Sequence, residues 1–548
     1  MRRLADRFAV QLRDPRGTQA RVLQELLALN SGSRFSTEHG LGEVHSPDQF
    51  RRRLPITTYA DFRPYIDRLR EGDLSALLGS ANPLLMFALT SGTTSGAKYI
   101  PITRRFLEDY RRGWRVWGIR AFDAHPALHT LNIVQLASDH DQFRTPGGHP
   151  CGNISGLVSS MQSPLVKSMY AVPALVAKIG SPEAKYYVAL RGALTDRHVG
   201  LIMTANPSTL VHLARLGDAH KAELIRDIAD GTLTSQIDVS PELRGALRSP
   251  LGGPDRRRAR ELEAIVSRTG HLSFRDCWPR LALLAVWTGG SAAAYTPALK
   301  QYFGELPIRD HGLSASEGRM TIPFRDDRPD GLLDVATHYF EFIPESEHGA
   351  PQPTVLEAHE LQEGENYFIL LTTSSGLCRY DIQDVVRCTG HEHGTPLLRF
   401  LNKGAHIASI TGEKISESQV VAAVSSSLRE FQLAVSHFTV APVWGDPPGY
   451  RLLVEGAEVT SPEIAARLCD LIDKQLQQHN LEYGDKRRSG RLGPLQPALL
   501  PPETWNRFIR QRLSRLGGSV EQYKHPCLVP DLEFCERLRQ QVVCGPSA

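Results

Sequence analysis

The sequence predicts an α/β protein with a large N-terminal domain, built on parallel sheets with a β-rich rim, and a small α+β C-terminal domain. Short apolar runs such as Leu84–Leu89 and Leu281–Trp287 indicate buried strands, and stretches with helical patterning separate them. Buried strands that alternate with helices are typical of a parallel sheet covered on both faces. After residue 330 the chain changes to β-rich segments between glycine turns, and a smaller set of helices and strands follows residue 402.

The composition is that of an ordinary globular protein. Of 548 residues, 41% are apolar and 22% are charged, which excludes disordered and fibrous classes for the chain as a whole. The 63 Lys and Arg nearly balance the 60 Asp and Glu, and the net charge is +3. This balance argues against a dedicated nucleic-acid-binding protein, which would show a concentrated basic surface.

The sequence also bears on location. No apolar run approaches the roughly 20 residues that span a bilayer, and the opening segment MRRLADRFAVQLRD lacks the apolar core of a secretion signal. The eight Cys form no Cys-x-x-Cys pair and match no zinc-site spacing, as is typical of free thiols in a reducing compartment. We therefore expect a cytoplasmic protein without membrane or nucleic-acid partners.

The elements of the large domain are predicted in chain order. The first 80 residues have the pattern of helices with polar turns. A strand at Leu84–Leu89 then leads through a Ser/Thr/Gly loop to a helix over 104–120. The strands predicted after this helix lie at Val199–Thr204, Leu281–Trp287 and Leu306–Asp310. The antiparallel strands predicted at the rim lie at His338–Ile343, Tyr367–Thr373 and Val385–Cys388.

A hinge is predicted after the rim strands, where Asn402-Lys403-Gly404 interrupts the pattern. It divides the chain into a large domain (1–401), a hinge (402–414) and a small domain (415–548). The small domain is predicted to contain a helix (417–430), two strands (433–441 and 449–455) and two further helices (462–479 and 502–516).

The loop Thr90–Lys98 carries five hydroxyl groups, two glycines and one cation directly after a strand. Glycines let backbone N–H groups approach an anion, the hydroxyls add donors, and Lys98 adds positive charge. This chemistry suits a polyphosphate. The alternative is a solvated Ser/Thr-rich turn.

Three further loops carry weaker signals. Gly289-Gly290-Ser291 suits a ligand edge lying on the backbone, but a tight strand–helix turn explains it equally well. Glu317, beside Ser314 and Ser316, has the chemistry to hold Mg²⁺ on a phosphate; taken alone, an exposed Glu in a turn explains it better. Asp384 precedes a β-branched run and is either an acceptor for ribose hydroxyls or a turn residue. All four loops follow strand ends or rims, where open α/β sheets bind ligands.

In this order the loops resemble the adenylate-forming superfamily of acyl-CoA ligases, luciferases and peptide-synthetase adenylation domains. A closer resemblance is to the auxin-responsive Gretchen Hagen family of acyl acid–amido synthetases and its bacterial relatives. It rests on TSGTTSGAKYIPIT (90–103), GLCRYDIQDVVRCTG (376–390) with LLRFLNKG following, LEYGDKRR…GPL (481–495) and GGSVEQYKHP (517–526), and spans about residues 40–530.

The resemblance implies a two-step reaction. A carboxylate attacks the α-phosphate of ATP to give an acyl-adenylate and pyrophosphate, and an amine, usually of an amino acid, then displaces AMP to form an amide. The implied partners are thus a small carboxylic acid and an amine, with ATP and Mg²⁺ as cofactors, in a monomer or weak homodimer. The small domain is expected to be mobile between the two steps. An acyl-CoA or carrier-protein ligase, and a nonenzymatic nucleotide-binding protein, are the alternatives.

The resemblance also assigns roles to residues. Phosphates are assigned to Ser91, Gly92, Thr93, Thr94 and Lys98, and adenine to Gly289 and Gly290. Ser314, Ser316, Arg399 and Lys414 are assigned to the nucleotide, Asp384 to its ribose, and Glu317 to Mg²⁺. Lys524 would stabilise charge that develops on the α-phosphate and carboxylate oxygens.

Two residues depart from the family pattern. Leu313 stands where the superfamily motif has an aromatic residue, so a platform for adenine or substrate is expected elsewhere, for example at Trp287. Gln383 stands where the plant enzymes carry Gly, and its larger side chain is expected to reshape the nucleotide edge.

Overall fold

The computed structural model describes residues 2–91, 97–136, 138–162, 164–404, 407–408, 410–411, 413, 415–459, 461–488, 490, 492–516 and 523–543. Its contacts group the chain into two compact units, and neither is continuous in sequence. The first unit comprises Met1–Ala205, His212–Trp287 and Glu305–Phe400, and the second comprises Asn206–Val211, Thr288–Gly304 and Leu401–Ala548. The boundary expected at residue 401, with its hinge, stays a prediction.

The helices are numbered in chain order. They are α1 (Arg2–Gln11), α2 (Pro15–Leu29), α3 (Arg34–Glu38), α4 (Pro47–Arg53), α5 (Tyr59–Arg70), α6 (Arg104–Ala124), α7 (Ile154–Ser160), α8 (Pro164–Lys167), α9 (Pro182–Thr195), α10 (Pro207–Ala219), α11 (Lys221–Asp230), α12 (Pro241–Leu247), α13 (Arg256–Thr269), α14 (Phe274–Cys277), α15 (Thr296–Phe303), α16 (Glu417–Glu430), α17 (Pro462–His479), α18 (Leu481–Arg488), α19 (Thr504–Leu516) and α20 (Phe534–Val543). In the described part of the chain, none of them combines the length and apolar character that a membrane crossing needs.

The strands are numbered likewise. They are β1 (Leu84–Ser91), β2 (Ala97–Thr103), β3 (Asn132–Gln135), β4 (Phe143–Arg144), β5 (Pro150–Gly152), β6 (Val199–Met203), β7 (Leu283–Ala285), β8 (Ile308–Arg309), β9 (Ser314–Ala315), β10 (Gly318–Arg319), β11 (Thr321–Ile322), β12 (Asp330–Leu333), β13 (Tyr339–Pro344), β14 (Leu356–Glu357), β15 (Asn366–Thr372), β16 (Tyr380–Glu392), β17 (Thr395–Lys403), β18 (Ile407–Ala408), β19 (Ile415–Ser416), β20 (Phe438–Val443), β21 (Gly449–Glu455) and β22 (Gln496–Leu500).

A parallel sheet with the order β3-β6-β7-β8 confirms the predicted α/β class. It contains the three strands predicted around residues 199–204, 281–287 and 306–310. The first predicted strand lies elsewhere, in a mixed sheet with the order β2-β1-β5-β4. There β1 pairs antiparallel with β2, so the Ser/Thr/Gly loop joins two strands and does not lead directly into a helix. The expectation of a direct strand-to-helix connection was wrong because β2 carries Pro101 and polar residues, which an edge strand tolerates.

The β-rich rim forms a seven-stranded sheet with the order β11-β12-β17-β16-β15-β13-β14. The pairs β13–β15 and β15–β16 are antiparallel, as predicted. The N-terminal helices pack against this sheet, and Phe50, Phe62 and Ile66 share one buried apolar cluster with Phe342 and Ile369. The core of the first unit therefore joins residues that are about 300 positions apart in sequence.

The second unit contains a three-stranded sheet, β20-β21-β22, in which β20 is antiparallel and β22 parallel to β21. Helices α16 and α17 begin and end where the sequence predicted. Ser416 caps α16 through a capping box, and Ser461 with Pro462 starts α17. Helices α18 and α20 and strand β22 were not predicted. All the cysteines among the described residues are buried free thiols.

Candidate active site

The phosphate loop predicted from the sequence connects β1 and β2. Thr90 pairs with Lys98 and Ser91 with Ala97, so the two ends of the loop lie side by side. Gly92, Thr93 and Thr94 lie outside the described residues, as does Lys414. The Lys98 ammonium lies 5.3 Å from the centre of the Tyr59 ring. The Tyr59 hydroxyl accepts a hydrogen bond of 2.9 Å from the backbone N–H of Tyr99. Tyr59 thus supports the strand that carries the cation.

Glu317 and Ser316 form the two-residue turn of a hairpin, in which Ala315 pairs with Gly318 and Ser314 with Arg319. Glu317 is buried, whereas the two serines are half-buried. The hairpin is fixed from behind by Arg319, whose guanidinium lies 4.3 Å from the centre of the Trp114 ring and donates to the carbonyl of His311 at 2.6 Å.

Leu313, at the start of this hairpin, belongs to the buried apolar core. Its backbone N–H donates to the Thr321 hydroxyl at 2.8 Å. Gly312 before it has φ +85°, and a Cβ there would lie 2.3 Å from the Thr321 carbonyl oxygen, so glycine is required. Trp287, the alternative aromatic residue, lies with its ring centre 5.2 Å from that of Phe400 in the first unit.

Asp384 lies inside β16 and is 3% exposed, so the expectation that it precedes a strand was wrong. The pairing of Leu370 with Asp381 and of Phe368 with Val385 leaves β16 with extra residues at this point, which is a bulge. A bulge re-aims the side chains next to it, and sequence periodicity does not reveal one. Gln383 within the bulge has φ +60° and an exposed side chain. A left-handed backbone explains why glycine suits this position.

Tyr380 connects these parts of the first unit. Burial raises the pKa of its hydroxyl, and the charges of Glu317 and Asp384 raise that pKa further, because an anion disfavours ionisation of a nearby hydroxyl. The nearby Tyr59 also raises the pKa of the Tyr380 hydroxyl. Glu317, Asp384 and the tyrosine under Lys98 therefore all lie within electrostatic range of Tyr380. Tyr380 lies in the motif GLCRYDIQDVVRCTG, to which the resemblance assigns only Asp384, and nothing in the sequence around Tyr59 marks it.

The remaining predicted site residues divide between the units. Arg399 lies in β17, opposite Asp330 of β12 in the strand register. Its side-chain Nε is buried without a hydrogen-bond partner among the described residues. Gly289 and Gly290 lie in the second unit, and Gly290, at φ +57°, starts a short 3₁₀ helix that leads into α15. Lys524 also belongs to the second unit and is exposed. Lys98, Glu317 and Asp384 all belong to the first unit.

A buried charge cluster lies behind the Glu317 hairpin. Asp109 of α6 accepts a hydrogen bond of 3.0 Å from Arg105. Arg112 of the same helix pairs with Asp334 at 3.2 Å. Burial, the largest cause, and the neighbouring Asp334 outweigh the two arginines, and together these effects raise the pKa of Asp109 to about 7. The pKa of Asp334 is also raised by burial.

The raised pKa of Asp109 predicts a pH-dependent cost to stability. The folded state binds the Asp109 proton more tightly than the unfolded state, so folding is favoured at low pH. This advantage is lost as the pH rises from about 4, the unfolded pKa, to about 7. Asp109→Asn is therefore expected to raise the melting temperature at pH 8 and to change it little at pH 4. Calorimetry at both values tests this. Asp123→Asn, at an exposed position of the same helix, is the control, and an equal shift at both pH values would contradict the prediction.

The left-handed backbone of Gln383 predicts a stabilising substitution. Such a backbone conformation costs a non-glycine residue about 1–2 kcal/mol. Glycine removes this cost, but its greater conformational entropy in the unfolded chain offsets about 0.5–1 kcal/mol of the gain in stability. Gln383→Gly is expected to raise the melting temperature slightly. Arg387→Gly is the control at an exposed position of the same strand, without positive φ, and should lower it. A lower melting temperature for Gln383→Gly would refute the interpretation.

Comparison with known families accounts for nearly the whole chain. Residues 4–308 match the GH3 family N-terminal domain, residues 331–403 the GH3 family central domain, and residues 418–533 the GH3 family C-terminal domain. The expectation of a bacterial type stays a prediction.

Similar proteins and structures agree with this. Jasmonoyl–L-amino acid synthetase JAR4 of Nicotiana attenuata is 28% identical over 98% of this chain and 96% of its own length. Probable indole-3-acetic acid-amido synthetase GH3.2 of Oryza sativa subsp. japonica is 27% identical over 96% of this chain and 90% of its own length. The fold is similar to that of GH3.15 acyl acid amido synthetase, with a TM-score of 0.85 and 22% sequence identity. The match covers 99% of this chain and 96% of that one. The fold is less similar to that of 2-hydroxyisobutyryl-CoA ligase, with a TM-score of 0.52 and 13% sequence identity. That match covers 98% of this chain and 93% of the ligase. The resemblance seen in the sequence motifs is thus confirmed, and the chain belongs to the GH3 family.

Proposed function

We propose that this protein is an ATP-dependent acyl acid–amido synthetase. It activates a small carboxylic acid as an acyl-adenylate and transfers the acyl group to an amine, such as that of an amino acid, with release of pyrophosphate and AMP. The observation that carries the proposal is the match of the chain to all three GH3 domains, together with a first unit in which the charges of Glu317 and Asp384 both act on Tyr380. A lysine and two carboxylates suit the phosphates, the metal and the ribose of one nucleotide.

The chemistry follows from the weakness of a carboxylate as an electrophile. Its oxygen attacks the α-phosphorus of ATP, and the bond from that phosphorus to the bridging oxygen of pyrophosphate breaks. The resulting mixed anhydride reacts with an amine, which loses a proton and displaces AMP. Negative charge grows on the phosphate oxygens in the first step, so the proposed task of Lys98 and Lys524 is to stabilise it.

The donor set suits the nucleotide. Asp384, buried in a β-bulge, is the proposed acceptor for ribose hydroxyls, and Arg399 supplies a buried Nε with no partner among the described residues. Glu317, with Ser316, is the proposed contact for Mg²⁺, since hard cations prefer carboxylate and hydroxyl oxygens. When bound, Mg²⁺ would offset phosphate charge. Gly289 and Gly290 are the proposed adenine contacts.

The proposal includes motion between the two steps. The small domain, from residue 415, would rotate about residues 402–414, as is usual for a protein that assembles a site in stages. Limited proteolysis near 400–415 is expected to change when ATP and the acid are added together.

The test is ATP–pyrophosphate exchange against indole, aryl and aliphatic acids, among them indole-3-acetate and jasmonate. We expect exchange that requires an acid and is lost in Lys98→Ala and Asp384→Ala. Lys474→Ala, at an exposed position of α17, is the matched control. Amino acids and coenzyme A are then compared as acceptors. Turnover with coenzyme A and not with any amine would indicate an acyl-CoA ligase, and ATP binding without exchange would refute the enzymatic proposal.

A further inference from the structure

Lys524 is an exposed residue in an otherwise buried stretch, since Tyr523 and the residues from His525 to Leu528 are buried. Tyr523 is 7% and His525 is 5% exposed, whereas Lys524 between them is exposed. Burial of the two neighbours therefore directs Lys524 outward.

His525 is held by hydrogen bonds on both ring nitrogens. Its Nε2 lies 2.9 Å from the Thr439 hydroxyl, and its Nδ1 lies 3.1 Å from the Tyr523 hydroxyl. The single proton of the Thr439 hydroxyl is donated to the carbonyl of Pro526 at 2.8 Å. Thr439 must therefore accept from His525, which places the ring proton on Nε2. Nδ1 is then the acceptor, and the Tyr523 hydroxyl donates to it.

The surroundings of His525 favour the neutral ring. Its centre lies 4.6 Å from that of Trp505 and 4.7 Å from that of His437. Burial, together with the nearby His437 and Arg512, lowers the pKa of His525 well below its ordinary value. A second ring proton would also replace the acceptor that Tyr523 needs. His525 is thus suited to hold hydrogen bonds and not to exchange protons near neutral pH.

The backbone on either side of Lys524 is also held within the second unit. The Asn206 side-chain amide donates to the carbonyl of Tyr523. The backbone carbonyl of Cys527 accepts a hydrogen bond of 2.8 Å from the N–H of Val440. The backbone N–H of Cys527 donates to Glu417 Oε1 at 2.7 Å. The segment is therefore attached before and after Lys524, and His525 supplies the side-chain attachment next to it.

We propose that His525 is a positioning residue for Lys524. Its neutral ring, hydrogen-bonded between Thr439 and Tyr523, fixes the segment so that the Lys524 ammonium is presented in one place. This inference rests on the proposed function, because the position of Lys524 matters to adenylate formation. A displacement of about 1 Å costs up to about 100-fold in rate when a group must meet a developing charge.

The test compares three variants in acid-dependent ATP–pyrophosphate exchange. His525→Ala is expected to lower kcat by about 10- to 100-fold and to leave KM for ATP nearly unchanged, since only the transition state needs the precise placement. His525→Gln, whose amide donates from the position of Nε2, is expected to recover most of that loss. His437→Ala removes a ring that packs on His525 and keeps both hydrogen bonds, so its kcat is expected to match the wild type. The pH profiles of wild type and His525→Gln are expected to coincide.

Several outcomes would overturn the proposal. One is a folded His525→Ala protein with wild-type kcat, and another is a pH profile that loses an ionisation in His525→Gln. If no acid supports exchange in the wild type, the proposed function fails by itself. Hydrogen exchange of the peptide spanning 523–529 still tests the positioning in that case. Faster hydrogen exchange of this peptide in His525→Ala and not in His525→Gln would support the positioning role. Equal protection in the wild type, His525→Ala and His525→Gln would overturn it.

Discussion

Lys524→Ala is expected to lower kcat for acid-dependent ATP–pyrophosphate exchange by about 100- to 1,000-fold, the loss typical when one preorganised donor to a developing anion is removed. The lysine is exposed on a segment whose neighbouring residues are buried. Its charge is thus presented at a defined place. KM for ATP is expected to change little, because the charge it meets grows mainly on the way to the transition state.

The same variant separates the two half-reactions. When a synthetic acyl-adenylate is supplied with an amino acid, amide formation is expected to remain near the wild-type rate, since pyrophosphate expulsion has been bypassed. Lys474→Ala controls for the loss of a surface lysine from the second unit. Unchanged exchange in Lys524→Ala would show that the lysine has no part in adenylation, and loss of both half-reactions would assign it a broader role.

Arg379→Met is expected to have the largest effect on stability, about 3–5 kcal/mol, as is typical when one partner of a buried ion pair is removed. Arg379 is 4% exposed, and its Nε donates to the buried Glu341 at 3.0 Å. Its NH1 donates to the carbonyls of Leu54 at 2.6 Å and Arg51 at 3.3 Å. Arg379 therefore ties the segment after α4 to the seven-stranded sheet, and methionine would leave a buried carboxylate and two carbonyls with fewer partners.

Thermal unfolding measures this effect, and Arg34→Met is its matched control. Arg34 forms an ion pair with Glu38 at 2.6 Å, but the two side chains are 51% and 41% exposed. Surface pairs of this kind contribute little because water and salt screen them. Equal melting temperatures for the two variants would contradict the argument. Exchange activity of any folded Arg379→Met protein is expected to fall as well, because Tyr380 follows directly in the chain.

The parts of the fold that depend on local signals were predictable from sequence. Helices α16 and α17 were found at their observed bounds because a Ser cap precedes each of them. Strand β2 was missed because Pro101 lies inside it, and a proline within a run argues against a strand unless that strand lies at the edge of a sheet. For the candidate site, the motifs proposed Lys98, Glu317, Asp384 and Lys524, and these assignments stay predictions. The motifs did not reveal that Tyr380 lies within range of two of these residues, because that proximity depends on contacts between segments far apart in the chain.

The hairpin that carries Glu317 has a consequence for comparing distant relatives. At 22% identity to a protein of the same fold, insertions can be placed in many ways. Here Ser314 pairs with Arg319 across a two-residue turn, and Arg319 is 1% exposed against Trp114. Adding one residue to the turn would shift the register and move the guanidinium to the other face of the hairpin. A change in the length of this turn is thus disfavoured, so the short segment from Ser314 to Arg319 is a fixed point for aligning diverged members of the family.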